Sequence, residues 1–296
     1  LAPFLNPAGQ ARRILRLPTT TESQPKERAA RILRAGWLCV ILRVLSHGES
    51  ASGRGVGVEI WPAIDLRGGK CVRLRQGDYS QETVFGDDPA AMARGWIEQG
   101  GRRLHLVDLD AAKDGNSANL ASIRTIVEAV AVPCELGGGV RSEDKIAELL
   151  AIGLARLVVG TRALKDPAWF RQMCKKFPGR LVLGIDARDG MVATDGWLET
   201  SQTPAIDLAQ QFAGEPLAAI VYTDIATDGM MAGPNVAAMA DMQAAVDLPV
   251  VASGGVTTLD DVRRLAAARL AGCIIGRALY QGTIGLAAAL EVADDS

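Results

Sequence analysis

The stretch CELGGGVRSEDKIAELLAIGLARLVVGTR, residues 134–162, holds one complete structural unit. An apolar run over 132–136 reads as a strand, followed by the tight turn Gly138-Gly139-Val140. Ser142 ahead of Glu143 and Asp144 starts a helix: its hydroxyl suits a cap and the acids suit the positive helix end. Gly153 stands where that helix should stop, and a second apolar run over 156–160 closes on Val159-Gly160-Thr161. VVASGGVTTLDDVRRLAAARLAGCIIGRA, residues 250–278, runs through the same order 116 residues later. There Gly254-Gly255-Val256 answers the first turn, Thr258 stands ahead of Asp260 and Asp261, and Ile275-Gly276-Arg277 answers Val159-Gly160-Thr161.

Outward from these stretches, apolar runs of strand length recur at 58–64, 103–108, 181–186 and 218–224, each followed by a helical pattern. Continuous apolar strands alternating with helices imply a parallel sheet buried on both faces. Asp88-Pro89 and Asp166-Pro167 each supply a cap followed by proline at the first helical position, and Gly100 marks a helix end. Pro62-Ala-Ile-Asp65 answers Gly184-Ile-Asp186, and Val107-Asp108 answers Thr223-Asp224. Four matches in order predict an α/β fold, a (β/α)8 TIM barrel built from two repeated half-barrels over residues 58–290, with a C-terminal tail at 291–296. A dinucleotide-binding sheet fits less well, because no GxGxxG follows the first strand; a long glycine-containing loop, Leu66 to Asp87, follows instead.

Composition narrows the function. Hydrophobic residues are 48% and charged residues 22%, which excludes a wholly disordered chain. Only 4% of residues are aromatic and the net charge is −2, so neither a base-stacking surface nor a phosphate-backbone binder is expected. Five scattered cysteines without a CxxC pair fit a reducing compartment rather than a disulfide framework. Two distant histidines exclude a histidine-rich zinc site, and no apolar run is long enough to span a membrane. The 32 glycines exceed the usual share and belong in turns or where backbone approaches a ligand.

Residues 1–57 read differently. They hold nine Lys and Arg against three Asp and Glu, while the chain opens with Leu and has no Met before Met92. Three readings compete: a targeting peptide, a basic membrane-surface helix, and an extension translated from upstream of the true start. The expectation is a disordered or spurious extension ahead of a domain that begins at Val58.

The repeat gathers chemistry at the C-terminal strand ends, where barrel enzymes hold their sites. Glycine turns leading into helices leave backbone N–H groups free for an anion. Gly138, Gly139, Gly160 and Thr161 would form one phosphate cup; Gly254, Gly255, Gly276 and Arg277 would form the other. Two cups on opposite sides of the mouth call for a long ligand with a phosphate at each end. Asp65 and Asp186 end opposite strands and suit acid–base work, with structural caps or metal ligands as the alternative. Asp108 and Asp224 add carboxylates, so ligand count alone leaves a metal site open. His105 reads as a satisfied core group, Arg73 and Arg75 as loop residues that reach substrate or stay solvated. Arg141 is placed to clamp a ligand, and Trp197 to stack on a heterocycle or pack on the rim.

Residues 58–290 resemble the phosphoribosylformimino-5-aminoimidazole carboxamide ribotide isomerase family of histidine biosynthesis. The matching stretches are PAIDLRGGKCVRLRQGDY (62–79), LHLVDLDAAKDG (104–115), LGGGVRS (136–142), VVGTRAL (158–164), GIDARDGMVATDGW (184–197), YTDIATDG (222–229), GPN (233–235), ASGGVTTLDDV (252–262) and IIGRALY (274–280). The resemblance implies a two-phosphate barrel that converts an aminoaldose to an aminoketose, an Amadori rearrangement, without cofactor or metal. It implies Asp65 as proton acceptor and Asp186 as proton donor, with Thr223 and Asp228 at the active-site rim. A small-molecule bisphosphate substrate, a monomer, a cytoplasmic setting, and no nucleic-acid or membrane partner follow as expectations. The related cyclase carries Cys-Leu-Asp where this chain has Ala63-Ile64-Asp65. Bifunctional relatives that also isomerise phosphoribosylanthranilate carry an arginine where this chain has Asp195, and an acid there is expected to repel an anthranilate carboxylate. A catalytically silent phosphate-binding scaffold is the alternative from another class. Met230-Met231 departs from the family's usual Thr-Leu.

Overall fold

A computed structural model describes residues 57–115 and 118–296. The expectations for residues 1–57 therefore lie, Gly57 apart, outside the described residues. The first half runs β1 (Glu59–Arg67), β2 (Lys70–Arg75), β3 (Asp78–Gly86), α1 (Pro89–Glu98), β4 (Leu104–Asp108), α2 (Leu109–Asp114), α3 (Leu120–Ala129), β5 (Cys134–Gly137), α4 (Glu143–Ile152), β6 (Arg156–Val159), α5 (Thr161–Lys165) and α6 (Pro167–Lys176). The second half runs β7 (Leu181–Arg188), β8 (Met191–Thr194), β9 (Glu199–Pro204), α7 (Ala205–Gln211), β10 (Ala219–Asp224), α8 (Val236–Ala245), β11 (Val250–Ser253), α9 (Leu259–Ala267), β12 (Gly272–Ile275), α10 (Arg277–Tyr280) and α11 (Leu286–Asp294).

Eight strands pair in parallel in the order β1-β4-β5-β6-β7-β10-β11-β12, and β12 pairs back onto β1. The sheet is closed, as the repeated strand–helix pattern predicts, and β1 faces β7 across the barrel. The long loop expected after β1 is in fact an antiparallel hairpin, β2–β3. A second hairpin, β8–β9, follows β7 at the equivalent place in the other half. The sequence leaves the first stretch open between loop and hairpin and gives no sign of the second hairpin, because their strands are short or largely polar: the residues of β3, DYSQETVFG, are all exposed or half-buried.

Alternation along the strands sorts the core. Trp61, Ala63, Val182, Ala219, Val221, Val251 and Ile274 point inward and form one cluster. Their chain neighbours Ile60, Ile64, Leu183, Ile220, Val250 and Ile275 point outward into the layer beneath the helices. Gly272 makes room for the largest inward side chain, since a Cβ there would lie within 3.3 Å of the Trp61 indole. The helix caps form as read: Asp88, Ser142 and Asp166 each accept from a first-turn amide, and Thr258 and Asp261 make a reciprocal capping box. Gly153 ends α4 in a left-handed conformation. The last helix continues past residue 290, where a tail was expected, because Ala293 is buried in the outer core.

Phe170 of α6 is fully buried and meets the Phe212 ring edge-on at 5.0 Å. Phe170→Ala should cost about 3–5 kcal/mol through lost burial and the cavity left behind. Urea unfolding measures this, and a loss under about 1 kcal/mol would contradict the packing described.

Candidate active site

The inward columns carry chemistry where they reach the mouth. On β1 the column is Trp61, Ala63, Asp65; on β7 it is Val182, Gly184, Asp186. Period-two alternation therefore turns both carboxylates into the barrel at its C-terminal end. Thr223 continues the column of Ala219 and Val221 on β10 and pairs in register with Asp186. A cavity of about 250 Å3 opens there, with Asp65, Asp186 and Thr223 in its wall.

The glycine turns stand at the rim in matched pairs. Gly138 and Gly139 have φ of 99° and 71°, and Gly254 and Gly255 have 93° and 87°, all left-handed. Space enforces glycine as well: a Cβ on Gly138 would fall 2.3 Å from the Asp108 carbonyl oxygen, and one on Gly254 would fall 2.7 Å from that of Asp224. Gly160 and Gly276 share nearly the same torsions, −103°/−100° and −107°/−98°. The short helices α5 and α10 begin immediately after them, and first-turn amides have no intrahelical acceptor. Gly138, Gly139, Gly160 and Thr161 line one side of the cavity, and Gly254, Gly255, Gly276 and Arg277 line the other. Arg141, Trp197 and Asp228 line the same space, so the carboxylate pair, both glycine rows and these three residues meet at one mouth.

The rim is tied together by specific bonds. Arg141 donates to the Ala112 carbonyl at 2.7 Å, and Arg277 donates to the Gly229 carbonyl at 2.7 Å. Asp108 and Asp224 are structural. Each accepts from an asparagine amide, Asn119 at 2.6 Å and Asn235 at 2.7 Å, and from a nearby backbone N–H. Asn119 and Asn235 are 116 residues apart, so the half-barrel repeat extends to these pairs. Among the described residues, no group of three or more His, Cys, Asp or Glu side chains is placed to hold a metal ion.

Three residues carry more or less than the sequence suggested. Arg73 is no solvated loop residue: its side chain is 11% exposed and pairs with Asp65 at 2.7 Å. Its guanidinium also lies against Gly276, where a Cβ would fall 1.8 Å from Nη2. Arg75 stays exposed, past a register shift between Leu74 and Arg75. His105 is satisfied, as read, through Nδ1 against Glu135 Oε1 at 2.6 Å, yet it also lines the cavity. Glu135 is fully buried and takes Arg156 Nε at 2.6 Å on its other oxygen. Asp195 does not line the cavity; its carboxylate pairs with Lys165 at 2.7 Å. Repulsion of an anthranilate by Asp195 thus loses its geometric basis. Of the two departing methionines, Met231 lines the cavity.

Burial sets the electrostatics. It pushes the Asp65 carboxyl above the usual range, against the opposing pull of Arg73. It pushes Asp186 up likewise, against hydrogen bonds from the Trp197 indole and the Thr223 hydroxyl. Asp228 is pushed up to about 6 by burial and by the charges of Asp65 and Asp186, which outweigh Arg73. Burial acts to lower Arg73, but Asp65 and Asp228 more than offset it and hold it above its ordinary value.

A carboxyl raised in the folded state binds its proton more tightly there than when unfolded. The unfolded chain then sheds protons first, and stability falls as pH rises from about 4 to about 6. For Asp228 the loss is on the order of 2–3 kcal/mol. Asp228→Asn should raise the melting temperature at pH 7, and the gain should vanish near pH 4. Thermal melts across pH test this, and an unstabilised variant at pH 7 would refute it.

A family model described as "Histidine biosynthesis protein" matches residues 59–285. A protein of Rhodopirellula baltica is 58% identical over 241 residues, covering 80% of this chain and 95% of that protein. One of Picosynechococcus sp. is 51% identical over 237 residues, covering 79% and 93%. One of Marinobacter nauticus is 50% identical over 243 residues, covering 79% and 98%. All three are named 1-(5-phosphoribosyl)-5-((5-phosphoribosylamino)methylideneamino)imidazole-4-carboxamide isomerase. With the matched region spanning the whole barrel and both rows of mouth residues, the chain belongs to the histidine biosynthesis protein family.

Proposed function

We propose that this barrel is the isomerase its relatives are named for, and that it converts the bisphosphate aminoaldose to the aminoketose with Asp65 as acceptor and Asp186 as donor. The observation that carries the reading is the pair of buried carboxylates on facing strands, set between two glycine cups. A substrate with a phosphate at each end spans the mouth from Gly138, Gly139, Gly160 and Thr161 to Gly254, Gly255, Gly276 and Arg277. Its sugar then lies over Asp65 and Asp186.

The surroundings divide the roles. Asp186 has hydrogen-bond donors beside it but, among the described residues, no ion-pair partner, so burial favours its protonated form and it can give a proton. Asp65 has Arg73 at 2.7 Å, which stabilises its carboxylate and suits a base. Asp186 protonates the ribose ring oxygen, and the ring C–O bond breaks to leave a Schiff base. Asp65 then takes the proton from sugar C2, and the C2 electron pair moves toward the iminium to give an enolamine. Tautomerisation yields the ketone. The oxidation at C2 balances the reduction at C1 within one molecule, so no outside redox partner enters. Fixing both phosphates holds C2 against the base, and such positioning is worth on the order of 7–11 kcal/mol in ideal intramolecular cases. Arg141 and Trp197 contact the ligand from the rim, with Thr223 and Asp228 beside the carboxylates.

Four described cysteines are free and buried, in keeping with a reducing, cytoplasmic setting. No helix among the described residues is long and apolar enough to cross a membrane.

The test is turnover of the bisphosphate aminoaldose by the full chain, with and without EDTA. Asp65→Asn and Asp186→Asn should each lower kcat by roughly 10²- to 10⁴-fold, and EDTA should change nothing. Tight substrate binding without turnover in the parent would point instead to a silent phosphate-binding scaffold.

A further inference from the structure

The loop that carries Trp197 is held in a conformation it would not choose. Asp195, Gly196 and Trp197 have φ of 54°, 69° and 70°, three left-handed residues in a row, two of them with side chains. Each such non-glycine residue is strained and persists only where its surroundings hold it. Asp195 bonds its neighbour Thr194, and two further restraints come from α5, the short helix that follows the first cup. The Asp195 N–H donates to the Thr161 hydroxyl at 3.1 Å. The Lys165 ammonium donates to both Asp195 carboxylate oxygens, at 3.0 and 2.7 Å. Two residues on, the Trp197 indole donates to Asp186, and its ring packs against Gly77, where a Cβ would fall 2.5 Å from the ring.

Thr161 stands at the junction. Its oxygen accepts from Asp195, which leaves the hydroxyl hydrogen free to donate into the cavity that Thr161 lines. One hydroxyl can therefore serve the phosphate and the loop together. We infer that Lys165 is a positioning residue: through Asp195 it fastens the Trp197 loop to the first cup, so that a phosphate seated there sets Trp197 against Asp186. The inference rests on the isomerase reading of the mouth. Lys165 reaches neither Asp186 nor the cavity and acts only through the loop. An exposed pair of this kind contributes little to global stability. Its effect falls on a loop whose strained backbone needs fastening.

The test uses inorganic phosphate as the probe and the Trp197 share of fluorescence as the readout. Parent, Lys165→Met, Lys165→Arg and Trp197→Phe proteins are compared in the full chain, with circular dichroism as a check on folding. The expected result is a phosphate-dependent change in the parent that is absent from Trp197→Phe, largely lost in Lys165→Met and kept in Lys165→Arg. In turnover, Lys165→Met should lower kcat about two- to fivefold with a smaller change in KM, and Lys165→Arg should restore it. Equal phosphate responses in parent and Lys165→Met, or no Trp197 response in the parent, would overturn the coupling. Absence of parental turnover would count against the isomerase reading, while the fluorescence comparison would still decide the coupling.

Discussion

Alternation along the barrel strands is the constraint on which the site depends. A side chain at one parity enters the barrel and a side chain at the other enters the helix layer. Trp61 and Ala63 must point inward to fill the barrel, so Asp65 points inward too. The same logic takes Val182 through Gly184 to Asp186. Neither carboxylate can leave the mouth without shifting a whole strand by one residue, which would drive the apolar column out of the core. The barrel core and the acid–base pair are therefore specified by the same pattern.

The half-barrel repeat then supplies the rim. In each half an aspartate at a strand end, Asp108 or Asp224, holds an asparagine at the start of the next long helix, Asn119 or Asn235. The carbonyl of that aspartate approaches a glycine so closely that no side chain fits. The glycine turns are thus pressed into shape by the neighbouring strand ends, and their free amides are ready before any ligand arrives. The two rims nonetheless depart from the repeat at Thr161 and Arg277. Thr161 accepts a bond from the loop after β7, while its counterpart Arg277 gives one to the loop after β10.

Much of this was legible in the sequence. The glycine turns, the caps at Asp88, Ser142, Asp166 and Thr258, and the two strand-end aspartates follow from local chemistry that nothing distant overrides. The hairpins were not legible, because β3 and β9 bury too little for alternation to show. Arg73 was underweighted for a related reason. Its neighbour Arg75 looks equivalent in sequence, and only the register shift after Leu74 separates the arginine that enters the site from the one that does not. His105 shows the limit of choosing between core and site. It is a satisfied group on a strand, and the barrel floor is where a satisfied group also meets a ligand. The Lys165 partner of Asp195 is not legible in the sequence, because it lies 30 residues away, on an element whose helical turn the sequence does not place.

The charge at the mouth argues for a ligand that brings its own negative ends. Three carboxylates, Asp65, Asp186 and Asp228, are raised above their ordinary range by burial. A fold selected for stability alone would replace them with apolar side chains of similar volume. Among the described residues, Arg73 is the one guanidinium paired with them; Arg141 and Arg277 turn to backbone carbonyls at the two rims. Two cations therefore stand at the rims, and one sits with the acids at the centre. That separation suits a molecule whose phosphates bind at the edges and whose sugar must both receive and lose a proton between them. The destabilised carboxyls are also the ones best matched to that work, since burial that raises a carboxyl above its ordinary range makes it a better proton carrier than an exposed one.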